Sequence, residues 1–193
     1  FNGNANDESG NGNDGIVVGE YKQGVDRNGV MGGSIDVSNN TRIHGDNSFA
    51  GLENISISAW FKLNQNNSEY ARIFLTGSLT ANISRPHKPY FAAGSWLNRE
   101  GIGPAVHIAG DIMENDFENG LLGNWNHVLV TLDKDNNLTA YFNGVKINHF
   151  EKETSHGDHN SNQFVLGGEG GPNGTDAKYA FLGELDDVRI YNR

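Results

Sequence analysis

Residues 55–63 read Ile-Ser-Ile-Ser-Ala-Trp-Phe-Lys-Leu, an alternation of core-forming and polar positions. Ile55, Ile57, Ala59 and Phe61 occupy every second place, and successive side chains of a β-strand point to opposite faces of the sheet. The stretch therefore predicts a strand with one face in the core.

Two further runs share this two-residue period. They are 125–132, Trp-Asn-His-Val-Leu-Val-Thr-Leu, and 138–142, Leu-Thr-Ala-Tyr-Phe. The polar segment between them has the length and composition of a hairpin loop, and Asn143-Gly144 predicts a second turn into Val145–Ile147. More strands are expected at 73–75, 90–93, 105–109, 163–166 and 181–191.

The composition favours turns over helices. The chain has 193 residues, the size of one domain, and 26 of them are glycine. No long interval shows apolar residues at helical spacing. We therefore expect an all-β fold, a two-sheet antiparallel β-sandwich of the jelly-roll type, with residues 77–124 and 149–178 forming long loops that interrupt the strands.

Charge and cysteine content exclude several classes of partner. Twenty-four acidic residues against fourteen basic ones give a net charge of −10, which opposes binding to the phosphates of nucleic acid. No apolar run approaches the ~20 residues of a membrane-spanning helix, so membrane insertion is not expected. Because the chain has no cysteine, any metal would be held by oxygen or imidazole ligands, and calcium is the leading ion.

Five segments, in order along the whole chain, resemble the laminin-G-like, concanavalin A-like lectin/glucanase jelly-roll domains. They are 1–15, 57–62, 125–128, 141–146 and 183–193, the last reading Gly-Glu-Leu-Asp-Asp-Val-Arg-Ile-Tyr-Asn-Arg. The resemblance implies a single domain over residues 1–193, excised from a larger secreted or cell-surface bacterial protein. It also implies a polysaccharide or glycan, and other domains of the parent protein, as partners.

The opening segment has the arrangement of a calcium-binding loop. Asp7, Ser9 and Asn11 alternate with other residues, Gly12 permits a sharp turn, and Asn13 follows. Hard cations such as Ca²⁺ prefer such oxygen ligands. Position twelve of an EF-hand loop would be a glutamate, but Val18 stands there, so further ligands must come from elsewhere. The first and last strands of sandwiches are often neighbours, and the family resemblance pairs this loop with the closing strand, which makes Asp186 or Asp187 a candidate. A metal-free loop of Asx turns is the alternative.

A sugar site needs an aromatic platform and planar hydrogen-bonding side chains. Residues 77–124 contain that mixture around Trp96, and the glycine-rich loop near residue 169 resembles the border of the binding edge in these domains. Packing is the alternative role for Trp96, because large aromatic side chains are mostly buried. Trp60 and Trp125 fall in strands that carry the family motif, and they are expected in the core. The predicted ligand-binding residues are Arg85, His87, Tyr90, Trp96, Arg99 and Glu169.

Catalysis is the weakest of the three functional hypotheses. Glu184-Leu-Asp186 begins the paired-carboxylate pattern of glycoside hydrolases in this superfamily, but Val188 and Arg189 stand where the second glutamate should fall. The sequence favours a non-catalytic, lectin-like, calcium-stabilised module. The alternative is an adhesion or spacer module that makes protein contacts only.

Overall fold

The computed structural model describes residues 1–46, 54–65, 71–76, 87–98, 101–108, 111–113, 122–135, 137–150, 163–168 and 180–193. Strands at 87–113 are described by their backbone pairing. In chain order the strands are β1 Ile16–Val18, β2 Lys22–Val25, β3 Met31–Asp36, β4 Arg42–Asp46, β5 Ile55–Leu63, β6 Arg72–Thr76, β7 His87–Asn98, β8 Gly101–Ile108, β9 Asp111–Met113, β10 Trp125–Leu132, β11 Leu138–Phe142, β12 Val145–Phe150, β13 Gln163–Leu166 and β14 Gly183–Tyr191.

The described strands form two antiparallel sheets, which confirms the predicted β-sandwich. The first sheet has the order β1-β4-β13-β6-β7-β8-β9 and the second the order β12-β11-β10-β5-β14-β3-β2. Strand β14, late in the chain, thus lies inside the second sheet between β5 and β3. The described part of the chain contains no helix long and apolar enough to cross a membrane.

The core fills the space between the sheets and follows the predicted alternation. Ile57, Ala59 and Phe61 of β5 are fully buried. The Phe61 ring lies 6.3 Å from the ring of Phe142 and 6.1 Å, edge to face, from the ring of Phe181. Such aromatic packing adds to the free energy gained by removing apolar area from water.

The second sheet matches the sequence prediction closely. Strands β5, β10 and β11 have the expected bounds, as does β13 of the first sheet, and β10 pairs with β11 across the predicted loop. Asn143 and Gly144 both adopt positive φ, 47° and 81°, as a tight hairpin turn requires. The Asn143 side chain accepts a hydrogen bond from the backbone N–H of His127, which fixes the turn against β10.

Two parts of the sequence interpretation were wrong. The stretch 77–124 does contain the strands expected at 90–93 and 105–109, but as the longer β7 and β8, and β9 pairs beside them, so this stretch is not mainly a loop. Strands β1 to β4 were not expected, because their glycine and buried polar residues hide the alternation. On β4, Arg42 and His44 are 1% and 5% exposed, so this strand is buried on both faces.

Candidate functional site

One face of the second sheet carries two tryptophans and a histidine. Because Phe61 and Ala59 point into the core, their neighbours on β5 point to the opposite face. Trp60 of β5 pairs with His127 of β10, and Lys62 pairs with Trp125. We call Trp60, Trp125 and His127 the aromatic face. All three are half-buried.

Each tryptophan of the aromatic face has a cation over its ring. The Cζ atom of Arg27 lies 5.2 Å from the Trp60 ring centroid, and Nζ of Lys62 lies 5.3 Å from the Trp125 ring centroid. The rings of Trp60 and His127 are 5.0 Å apart and tilted by 49°. Cation–π contacts of this kind hold both the ring and the charged side chain in place.

Carboxylates on β14 fix the two cations. Lys62 forms an ion pair with Glu184, which also accepts a hydrogen bond of 2.9 Å from the Ser34 hydroxyl. Gly24 makes room for this arrangement, since a Cβ there would lie 2.2 Å from Oε2 of Glu184. Glu184 is 8% exposed and is therefore a paired, buried charge.

A bulge in β14 brings a second carboxylate to Arg27. The pairing with β5 shifts between Asp186 and Arg189, and Asp187 has a φ of 48°, a left-handed conformation that is unfavourable for most side chains. Arg27 consequently forms ion pairs with both Asp186 and Asp187, the latter at 3.1 Å. Strained residues and bulges of this kind are concentrated at functional sites, where they redirect side chains.

Asp187 has a second guanidinium partner on its outer side. Nε and Nη2 of Arg189 donate hydrogen bonds of 2.7 and 2.9 Å to the two oxygens of Asp187. The Arg189 side chain is 55% exposed, and the Arg27 side chain is 28% exposed. Arg27 is thus the more enclosed of the two guanidinium groups, and it lies over the Trp60 ring.

His127 is neutral at physiological pH. Burial lowers its pKa below the ordinary value of 6.5, and the nearby Arg27 guanidinium lowers the pKa further, while the Asp187 carboxylate raises it in part. A neutral imidazole can both donate and accept a hydrogen bond, so the aromatic face offers mixed polar and apolar contacts.

The opening segment closes on itself through the side chain of Asp7. This carboxylate accepts hydrogen bonds from the backbone N–H groups of Ser9, at 2.9 Å, and Asn13, at 3.0 Å. The hydrogen bonds from Ser9 and Asn13 hold the pKa of Asp7 below its ordinary value of 3.8. The loop is a set of Asx turns built around one ionised carboxylate.

The four candidate metal ligands of this loop lie together. Asp7, Ser9, Asn11 and Asn13 all line one cavity of about 410 Å³, between the opening loop and the end of β14. Asp186 and Asp187 do not line this cavity, and their described partners are Arg27, Arg189 and the nitrogen of Phe1. No group of three or more carboxylate or imidazole side chains suited to a metal occurs among the described residues. The four loop residues thus lie together, whereas Asp186 and Asp187 bind cations elsewhere, and the calcium site stays a prediction.

The predicted sugar-binding residues are only partly covered by the structure. His87, Tyr90 and Trp96 lie on β7, where their backbones pair with Thr76, Leu75 and Gly103. Arg85, Arg99 and Glu169 lie outside the described residues. Their predicted role in ligand binding stays a prediction.

The expectation that Trp60 and Trp125 lie in the core was wrong. The alternation of 55–63 already placed Trp60 opposite Ile57 and Phe61, and this period is the signal that identifies the aromatic face. The expectation of burial rested instead on the family motif of these strands. Arg27, the cation that completes the face, was not a candidate, because nothing local to the hairpin at residues 25–31 indicates its distant partners.

Comparison with known proteins supports the architecture. The family model of the concanavalin A-like lectin/glucanases superfamily, Laminin_G_3, matches residues 36–193. No curated protein matches the chain significantly by sequence.

Solved structures share the fold at low sequence identity. Domain 4 of AbnA, a GH43 extracellular arabinanase from Geobacillus stearothermophilus in complex with arabinotriose, is 18% identical, with a TM-score of 0.65, covering 98% of this chain and 87% of that one. The SAP-like pentraxin from Limulus polyphemus is 16% identical, with a TM-score of 0.54, over 78% of this chain and 69% of that one.

A third similar structure is the binding domain of Paraclostridial Mosquitocidal Protein 1, which is 20% identical with a TM-score of 0.59. The match covers 97% of this chain but only 46% of that one. At such identities the likeness establishes the fold alone. Together with the family match over residues 36–193, it shows that this chain belongs to the concanavalin A-like lectin/glucanase superfamily as a laminin-G-like domain.

Proposed function

We propose that this domain is a non-catalytic carbohydrate-binding module that attaches a larger secreted or cell-surface bacterial protein to a polysaccharide or glycan. The observation that carries the proposal is the aromatic face with its fixed cation, Arg27. Sugar rings present apolar C–H faces that pack on aromatic side chains, and hydroxyls that bond to planar polar groups. Trp60 and His127 supply the first kind of contact, and Arg27 supplies the second.

The contacts that restrain the Arg27 side chain favour the binding of a ligand. A guanidinium held by Asp186, Asp187 and the Trp60 ring has already lost the side-chain freedom that a free arginine would lose on meeting a ligand. Prearranged groups of this kind raise affinity because less conformational entropy is lost on association.

The charge of the chain narrows the class of glycan. A net charge of −10 repels sulfated or uronate-rich chains, so a neutral glycan is the favoured ligand. The complex of the similar arabinanase domain with arabinotriose supports a neutral oligosaccharide as the first probe.

The described carboxylates support a binding role over catalysis. Glycoside hydrolysis requires one carboxyl group that is protonated near neutral pH and a second one nearby. Glu184 is engaged by Lys62 and Ser34, and Asp186 is engaged by Arg27, so both carboxylates already serve as ion-pair partners within the sheet. Val188 and Arg189 stand where the second glutamate of the paired-carboxylate pattern would fall.

Binding should depend on Trp60 and Arg27. We expect Trp60→Ala and Arg27→Ala each to weaken binding of the strongest hit on a glycan and polysaccharide array, or of arabinotriose, at least about tenfold in a calorimetric titration. Arg189→Ala is the matched control, because it also removes a guanidinium from Asp187 yet does not touch Trp60. We expect it to retain nearly wild-type affinity. Equal losses in both arginine variants would contradict the proposal.

The same array distinguishes a carbohydrate-binding module from the alternative, an adhesion or spacer module. A blank array across neutral and charged glycans, for a folded protein, would replace the carbohydrate hypothesis by contacts with proteins or with neighbouring domains. Trp96, one of the predicted ligand-binding residues on β7, is tested in the same experiment through the variant Trp96→Ala.

We also propose a structural calcium ion held by the opening loop through Asp7, Ser9, Asn11 and Asn13. The ion would tie this loop in its folded shape, and it has no part in catalysis. A ligand that binds only the folded state stabilises it by about 2.7 kcal/mol at a hundredfold excess over Kd.

Calcium should therefore raise the melting temperature. For a domain of this size we expect an increase of roughly 5 to 10 °C in millimolar calcium over chelator. Asp7→Asn should abolish the increase, and Asp26→Asn should retain it, because Asp26 accepts the same kind of turn hydrogen bonds outside the opening loop. Identical melting curves in calcium and chelator would rule the ion out.

A further inference from the structure

We propose that the cavity between the opening loop and β14 is a second binding site, for a small amphipathic molecule whose head group donates hydrogen bonds and carries no negative charge. The site is separate from the aromatic face and does not depend on the carbohydrate function. Its volume of about 410 Å³ lies within the range of about 300 to 1,000 Å³ typical of small-molecule sites.

The inner wall of the cavity is apolar and is built from both sheets. Ile43, Phe164 and Leu166 come from the first sheet, and Val188 and Ile190 come from the second. The Phe164 ring stacks on the ring of Phe74, 6.0 Å away and inclined by 13°, which holds this wall in place. An apolar tail that enters between the sheets would thus be removed from water.

The mouth of the cavity is polar and offers acceptors. The amide nitrogens of Asn11 and Asn13 donate hydrogen bonds within the loop, to Ser9 and Asp7. With these nitrogens engaged, the side-chain oxygens of the loop are its principal acceptors. Asp7 is the one charged side chain among the lining residues. Hydroxyl or ammonium groups suit this mouth, and carboxylates do not.

A backbone hydrogen bond fixes the rim of the cavity. The N–H of Gly15 donates to the carbonyl of Ala5 at 2.8 Å, and both residues line the cavity. Gly15 also lies against the wall, since a Cβ there would be 2.5 Å from Cγ2 of Ile43. A rim fixed by backbone hydrogen bonds needs little rearrangement on binding.

Three molecules with one tail and different head groups test the proposal. 1-Octanol, octylammonium and octanoate are titrated into the protein in chelator, so that no metal at the opening loop contributes. We expect the alcohol and the amine to bind one to one with Kd near or below about 1 mM, and octanoate at least about tenfold more weakly. Asp7→Asn should remove the discrimination against octanoate, and Asp26→Asn should preserve it.

The location is tested independently of affinity. In the wild-type protein, nuclear Overhauser contacts should join the octyl chain to methyl groups of Ile43, Val188 and Ile190. Filling the cavity by Ile190→Phe or by Ala5→Leu should lower octanol affinity at least about tenfold, while glycan binding at the aromatic face is unchanged. The proposal is overturned if none of the three probes binds. It is also overturned if the bound tail contacts other residues, or if Trp60→Ala abolishes binding.

Discussion

A Gly183→Ala variant is expected to lose about 3 to 5 kcal/mol of unfolding free energy, enough to unfold a marginally stable domain. Gly183 is buried at the start of β14 and pairs with Leu63. A Cβ at this position would lie 2.1 Å from the backbone oxygen of Lys62 and 2.7 Å from the ring of Phe181. A backbone oxygen cannot rotate away, so β14 and β5 would have to separate.

The measurement is chemical denaturation of the variant beside the wild type. Gly123→Ala is the control, because Gly123 lies just before β10 and its N–H donates to the carbonyl of Leu63 on β5, but no atom stands within 4 Å of an added Cβ. That variant bears only the cost of a left-handed φ of 74°, about 1 kcal/mol. Similar losses in the two variants would show that the contact with Lys62 is unimportant.

Acidification is expected to destabilise the protein through His44. Burial, together with the nearby Arg42 guanidinium, lowers the pKa of His44 from 6.5 to about 4, and the Asp46 carboxylate offsets this in part. Neither ring nitrogen of His44 has a hydrogen-bond partner in the described structure. The folded state therefore holds a neutral imidazole that protonates only well below the pH at which the unfolded chain takes up its proton.

The sign of the effect follows from proton binding. Between pH 6.5 and about 4 the unfolded state binds more protons at this position, so stability falls as the pH falls, and it levels off below both values. The full loss is about 3 kcal/mol, at about 1.4 kcal/mol for each pH unit. Carboxylates with lowered pKa values, such as Asp7 and Asp26, reduce the stability only when the pH falls towards their ordinary pKa of 3.8.

Denaturation of the wild type and of His44→Leu at pH 7.5, 6 and 4.5 checks this prediction. The wild type should lose about 2 kcal/mol more than the variant between the first and last pH. Parallel losses would mean that His44 is not a source of the acid sensitivity.

The sequence was most informative where one face of a strand meets water and the other meets the core. Strands β5 and β10 were predicted to the residue because apolar side chains recur at every second position there. Strand β4 was missed because Arg42 and His44 are buried as deeply as Ile43, so no alternation in polarity marks the strand. Burial of polar groups depends on what covers them, which a local pattern does not contain.

The sequence could predict only part of the aromatic face. The period of β5 places Trp60 away from the core, and cross-strand pairing then places His127 beside it. The contact between Arg27 and Asp186 joins residues 159 positions apart and depends on the bulge in β14, so neither partner indicates the other in a single sequence. Long-range ion pairs of this kind require the assembled sheet.

The position of β14 inside the second sheet also governs how the chain can fold during synthesis. Strands β3 and β5 both pair with β14, so their facing edges stay open until residues 183–191 have left the ribosome. The nascent chain therefore exposes two unsatisfied strand edges for most of its translation, a state that is prone to pairing with other chains. The second sheet cannot be completed until β14 is available. Truncation before residue 183 would leave β3 and β5 without the strand that joins them.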